Sequence, residues 1–164
     1  MTTFPLLKWL ASRARQRDCT LVVMHSTAGS TLGGALSTLR LKGLSYHYLI
    51  EKSGKVTKCV PASRVAFHAG ASEGPGGPNC NGYSVGVCFV NRNDGKDPIT
   101  GLQIQSAVEL VRELKAQLPL VWIANHHGIA PKRKTDPKGF NLESFAVAVG
   151  LKAWKRKDAV WRTF

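Results

Sequence analysis

Apolar positions along the chain follow two periods, which together predict alternating strands and helices. TLVVMH, from Thr20 to His25, is a β-branched apolar run that breaks into STAGS, and it predicts a buried strand ending in a polar loop. In STLGGALSTLRLKG, Leu32, Leu36 and Leu39 share one helical face, with Ser30 or Thr31 as cap and Gly43 as stop. YHYLIEKSGKVTKCV predicts a hairpin: Tyr46, Tyr48 and Ile50 alternate, Ser53-Gly54 turns, and Val56 to Val60 return. AGASEGPGGPNCNG predicts a long loop, and YSVGVCFV a central strand. Ile104, Val108, Val111, Leu114 and Leu118 recur at helical spacing up to Pro119. LVWIANH is a further strand ending in histidine, and NLESFAVAVGLKAWKRK reads as a final amphipathic helix. A short basic helix is expected over residues 4 to 14.

This order, with no internal repeat, predicts an α/β fold: a mixed central β-sheet flanked by helices. At 164 residues the chain suits a single domain, 1–164, large enough to bury roughly 70% of its unfolded surface. Two strands, VVMH and VWIANH, end in histidine. Placed side by side, those ends would meet on one rim of the sheet, where α/β proteins tend to build sites.

The net charge is +13, which implies polyanionic surroundings such as nucleic acid, a phosphate-rich membrane or an anionic cell wall. The basic residues thicken at both ends: Arg13, Arg15 and Arg17, then Lys152, Lys155, Arg156, Lys157 and Arg162. They form either a solvated surface or a binding patch. Cys19, Cys59, Cys80 and Cys88 show no CxxC spacing, so buried free thiols are expected, although the even count permits disulfides. FPLLKWLA is too short and interrupted to read as an export signal, and no apolar run approaches a membrane span.

In NHHGIAPKRKTDPKG a single acid, Asp136, stands among lysines and arginine. A His₂Asp set of His25, His126 and Asp136 has the donor types of a catalytic zinc site, which keeps three protein ligands and one open position. Lys134 lies two residues before Asp136, so in an extended segment both side chains point the same way. An ammonium there is placed to stabilise an oxyanion.

These segments resemble the type 2 N-acetylmuramoyl-L-alanine amidases, which share the fold of peptidoglycan recognition proteins, and most of all the short phage lysozymes that act as amidases. The matching pieces are VVMHSTAG, LSYHYLIEKSGKV, AFHAGAS, NGYSVGVCFV and NHHGIAPKRKTDP, in the family's order. The resemblance implies a catalytic core over 20–145, an N-terminal basic helical extension over 1–19, and a C-terminal helix and basic tail over 146–164. It implies one catalytic zinc on His25, His126 and Asp136, with His127 a neighbour and not a ligand. Lys134 matches the catalytic lysine, and Tyr46 matches the tyrosine that orients or deprotonates the attacking water. Cys88 stands where cytosolic recycling amidases carry a catalytic Glu, and reads as a packed strand thiol. His68 is expected on the substrate side, His47 behind the site or at the surface, and Trp122 in the core.

The implied reaction is hydrolysis of the amide between N-acetylmuramic acid and L-alanine in peptidoglycan. The implied setting is a phage endolysin made as a monomer in the host cytoplasm without a signal peptide, reaching the wall or periplasm after holin-type release. Its partners would be peptidoglycan and, through the basic termini, anionic cell wall or lipopolysaccharide. The alternatives are a non-catalytic peptidoglycan-binding module, or an amidase that also binds a phage RNA polymerase.

Overall fold

The computed structural model describes residues 10–159. In chain order the elements are β1 (Ser12–Ala14), β2 (Leu21–Ser26), α1 (Leu32–Lys42), β3 (Tyr48–Ile50), β4 (Val56–Lys58), β5 (Arg64–Ala66), β6 (Glu73–Gly74) and β7 (Gly77–Pro78). A 3₁₀ turn (Cys80–Tyr83) precedes β8 (Ser84–Phe89). Then come α2 (Gly101–Gln117), β9 (Trp122–Asn125), α3 (His126–Ile129), α4 (Leu142–Val149) and β10 (Lys152–Ala153).

The central sheet has the order β10-β9-β2-β8-β3-β4. All neighbours are parallel except the β3–β4 hairpin, so the sheet is mixed, as expected. Strands β2, β8 and β9 are apolar on both faces because both faces are covered. On one face Val22, Met24, Val85, Val87, Phe89 and Ile123 pack with Val111 and Leu114 of α2 and Phe145 and Val149 of α4. Full burial of each such side chain contributes about 1.5–3 kcal/mol. The opposite face holds two smaller clusters, one with Leu39 of α1, Leu49 and Cys88, the other with Leu21, Val23 and Tyr83.

The helix ends follow their cap residues. Thr31 accepts from Gly34 N–H at 3.1 Å, and Gly43, at φ 63°, closes α1 in the left-handed region that glycine tolerates. Thr100 and Gln103 form a capping box on α2, and Gln103 Nε2 also donates to Ile50 O (2.9 Å) and Val90 O (3.2 Å), tying the helix to the sheet.

Several sequence expectations are corrected. The helix over residues 4 to 14 lies largely outside the described residues; of the rest, Ser12–Ala14 is strand β1, paired antiparallel with β5. The final helix stops at Val149, where Gly150 adopts φ 66°, and Lys152–Ala153 adds a parallel edge strand beside β9. The chain beyond is still fixed to the fold: Trp154 N–H donates to Ile123 O and Arg156 N–H to Gly128 O. Tyr48 and Ile50 face the main core, but Tyr46 precedes β3 and packs against the Leu49–Cys88 cluster. The 69–82 loop contains the β6–β7 pairing. Arg15 is not part of a solvated patch: its guanidinium donates to Ala62 O, Gly82 O, Arg64 O and Ser84 O at 2.8–3.1 Å.

Candidate metal centre

Strands β2 and β9 are adjacent and parallel, with Met24 opposite Asn125. The next residue on each chain is a histidine, so His25 and His126 emerge together at the carboxyl rim of the sheet. Asn125 caps the short turn that holds His126, accepting from Gly128 N–H at 2.7 Å. The 131–136 loop brings Asp136 to the same point, where its Oδ2 accepts from Ser26 N–H at 3.3 Å.

His25 Nδ1 lies 3.0 Å from His126 Nδ1 and 3.5 Å from the Asp136 carboxylate, and His126 Nδ1 lies 3.2 Å from it. All three residues are buried, and one ligand atom from each falls within 4.8 Å of the others. The other nitrogen of His126 faces the Ala69 carbonyl at 3.2 Å. A carbonyl only accepts, so His126 Nε2 carries the proton and Nδ1 presents a lone pair. A buried lone pair facing a carboxylate and a second imidazole nitrogen is an arrangement that a bound cation satisfies. Two imidazoles and one carboxylate are the donor types that zinc takes, so the residues fit that ion.

Burial, then the neighbouring His126, lowers the His25 pKa to about 4, although Asp136 opposes the shift. Burial pulls the Asp136 carboxyl up, but its closeness to His126 and His25 outweighs burial and holds it well below the usual carboxylate range. The carboxylate is therefore ionised and ready to ligate.

The doubled histidine divides as its two environments dictate. His127 donates from Nδ1 to Lys134 O at 2.8 Å, and its own N–H donates to Asp136 O at 3.0 Å. It holds the loop in place while His126 faces the centre. Lys134 is half-buried, and its charge acts on His25. The Tyr46 ring sits 5.0 Å from that of His25. Burial, with Cys88 and Asp136 nearby, raises the Tyr46 pKa well above its ordinary value, so the phenol is a hydrogen-bond donor at neutral pH. Cys88 is buried beside Tyr46, its thiol is likewise raised by burial, and it is not among the converging ligands. The four cysteines are all free and buried.

Of two further histidines, one is not where the sequence suggested and the other takes one of the two positions expected for it. His68 is buried, with Nδ1 2.9 Å from His25 Nε2 and Nε2 3.2 Å from Ser84 Oγ, so its ring lies behind the centre and not on the substrate side. His47 is fully buried, accepts from Gly86 N–H at 2.9 Å and donates to Arg64 O at 3.0 Å, with its ring 5.7 Å from that of His68, so of the two positions expected it takes the one behind the site. Trp122 is half-buried against the Leu21–Tyr83 cluster, with Lys152 over its ring at 5.6 Å. Sequence reading missed Ser84, Gly86 and Asn81. The available signal was the alternation of small and large residues in SVGVCF, which leaves one face of β8 open for a ring.

Residues 15–139 match the family described as N-acetylmuramoyl-L-alanine amidase. Among curated proteins the chain is 34% identical over 117 residues to "1,6-anhydro-N-acetylmuramyl-L-alanine amidase AmpD" of Salmonella typhimurium (strain SL1344), covering 68% of this chain and 60% of that protein. Among solved structures it resembles that of Escherichia coli AmiD bound to "the substrate anhydro-N-acetylmuramic acid-L-Ala-D-gamma-Glu-L-Lys", with TM-score 0.74 and 29% identity over 88% of this chain and 62% of that one. It also resembles the "Endolysine N-acetylmuramoyl-L-alanine amidase LysCS" of Clostridium intestinale, with TM-score 0.69 over 92% of this chain and 99% of that one; at 21% identity this likeness shows the fold alone. The chain thus spans about 60% of the length of its AmpD relative.

Proposed function

The chain belongs to the N-acetylmuramoyl-L-alanine amidase family, and from that premise we propose that it hydrolyses the amide joining N-acetylmuramic acid to L-alanine in peptidoglycan. The observation that carries this reading is the convergence of His25 Nδ1, His126 Nδ1 and the Asp136 carboxylate at one buried point on the sheet rim. We assign these three to one zinc ion. When bound, zinc supplies Lewis acidity, polarising the scissile carbonyl and easing proton loss from the attacking water.

The chain's own groups supply the rest. Tyr46 stands beside His25 with a protonated phenol, so it orients the water by donating a hydrogen bond and does not act as the base. Lys134, on the loop that carries Asp136, offers an ammonium to the oxyanion that develops on the carbonyl. His127 fixes the spacing between these two by holding Lys134 O and Asp136 O.

The role we favour is lysis from inside a host cell, with release to the wall by a holin-type route. Cys88 replaces the carboxylate that recycling amidases carry, and the +13 charge suits an intact anionic wall better than a small soluble fragment. Mass spectrometry of digests tests both levels. Stem peptide released with a free L-alanine amine, from intact sacculi faster than from soluble anhydro-muropeptide, is the expected result. Faster cleavage of the soluble fragment would remove the lysis role and leave the amidase. Products cut at a glycosidic bond, or no products from zinc-loaded protein, would overturn the amidase reading.

A further inference from the structure

A chain of hydrogen bonds runs from His25 away from the centre and ends on a backbone carbonyl. His25 Nε2 meets His68 Nδ1 at 2.9 Å; His68 Nε2 meets Ser84 Oγ at 3.2 Å; Ser84 Oγ meets Cys80 O at 2.6 Å. Each ring nitrogen could in principle donate or accept, but the terminus settles the direction. The Cys80 carbonyl can only accept, so the Ser84 hydroxyl spends its single proton there. Ser84 Oγ must then accept from His68 Nε2–H. A neutral His68 has no proton left for Nδ1, so His25 Nε2–H is the donor between the two rings. His25 Nδ1 is thereby deprotonated and aimed at His126 and Asp136.

The adjacent residue does the same for the other histidine. The Ala69 carbonyl takes the His126 Nε2 proton and leaves Nδ1 free. Both residues are clamped as one piece: Asn81 Oδ1 accepts from His68 N–H at 3.0 Å and from Ala69 N–H at 2.8 Å, and Arg133 Nη2 donates to Ala69 O at 2.7 Å and Ala71 O at 2.8 Å. Space for the His68 ring comes from Gly86, where a Cβ would stand 2.6 Å from His68 Cγ.

We propose that His68-Ala69 is a positioning segment that sets the tautomers of both metal-facing histidines, with Ser84 as the residue that gives the relay its direction. The inference rests on reading the centre as a metal site. Partners behind a ligating histidine fix its tautomer and ring orientation, and their loss costs about 10–100-fold in metal affinity.

Histidine ¹H–¹⁵N correlation spectra of the zinc-free protein at neutral pH report each tautomer. The expected result is neutral His68 and neutral His25, each with its proton on Nε2; a proton on His68 Nδ1 overturns the proposal. Zinc affinity, read by competition with a chromophoric chelator, gives the second measurement. Ser84→Ala should weaken zinc by about 10–100-fold, while Ser84→Thr, which keeps the hydroxyl, stays near the parent. If Ser84→Ala binds zinc as the parent does while His25→Ala does not bind it, the relay is wrong and the metal centre stands. If His25→Ala binds zinc normally, the metal reading falls and the relay with it. Should Ser84→Ala fail to fold, the parent spectrum decides alone.

Discussion

Gly86→Ala is the smallest change that should disturb the centre without touching it. Gly86 lies on the face of β8 that His68 covers, and its backbone is outside the left-handed region, so alanine meets no conformational objection there. The objection is steric. An added Cβ would sit 2.6 Å from His68 Cγ and 2.8 Å from both Cδ2 and Nδ1. Carbon atoms pack at about 3.5–4.0 Å, so the ring must retreat by roughly 1 Å. Its bonds to His25 and Ser84, now 2.9 and 3.2 Å, would stretch beyond useful length. Overpacking costs about 1–3 kcal/mol and each of the two lost hydrogen bonds about 1 kcal/mol, giving roughly 3–5 kcal/mol in all. At about 2–4 °C per kcal/mol for a chain of this size, Tm should fall by roughly 6–20 °C. Thermal unfolding of the zinc-free protein measures it. The control is the same substitution in a His68→Ala background, where the ring is gone and the penalty should nearly vanish. An equal penalty in both backgrounds, or none in either, would refute the reasoning.

Arg15→Ala should cost about 3–5 kcal/mol, since it takes the guanidinium from four carbonyls, of which Arg64 O keeps a donor in His47, and Arg15→Lys should recover little of it; a urea midpoint near the parent's would show the staple to be dispensable. Acid should destabilise the fold through His47, whose pKa burial lowers to about 3. The unfolded chain protonates first, so this stability is full above about pH 6.5 and drains as pH falls toward 3, by up to about 5 kcal/mol. A urea midpoint unchanged between pH 7 and pH 4 would contradict it. Zinc at 100 times its Kd should add about 2.7 kcal/mol, or roughly 5–10 °C in Tm, and a chelator should remove it; coincident melting curves would count against a metal in the buried triad.

What could be read from the chain differs by the kind of force involved. Apolar runs announce β2, β8 and β9 because both faces of those strands are buried, and Thr31, Gly43 and Thr100 mark helix ends because caps are side-chain chemistry. Strands β1 and β10 gave no such signal. β10 adds to the edge of the central sheet and β1 pairs with β5 in a two-stranded sheet, both through backbone bonds, and neither SRA nor KA carries an apolar alternation. The ligand positions were legible as histidines ending two strands and one acid among cations. The relay behind them was not, since it depends on the carbonyls of Cys80 and Ala69 and on the missing side chain of Gly86. Arg15 was misread for the same reason: its partners are four carbonyls, which no residue pattern displays.

The central claim is that His126, and not its neighbour, holds a catalytic zinc with His25 and Asp136. The direct measurement is zinc content together with release of stem peptide bearing a free L-alanine amine, for the parent, His126→Ala and His127→Ala. The account predicts one zinc and cleavage in the parent, loss of both in His126→Ala, and retained zinc with slowed cleavage in His127→Ala. Zinc and cleavage kept by His126→Ala but lost by His127→Ala would contradict it.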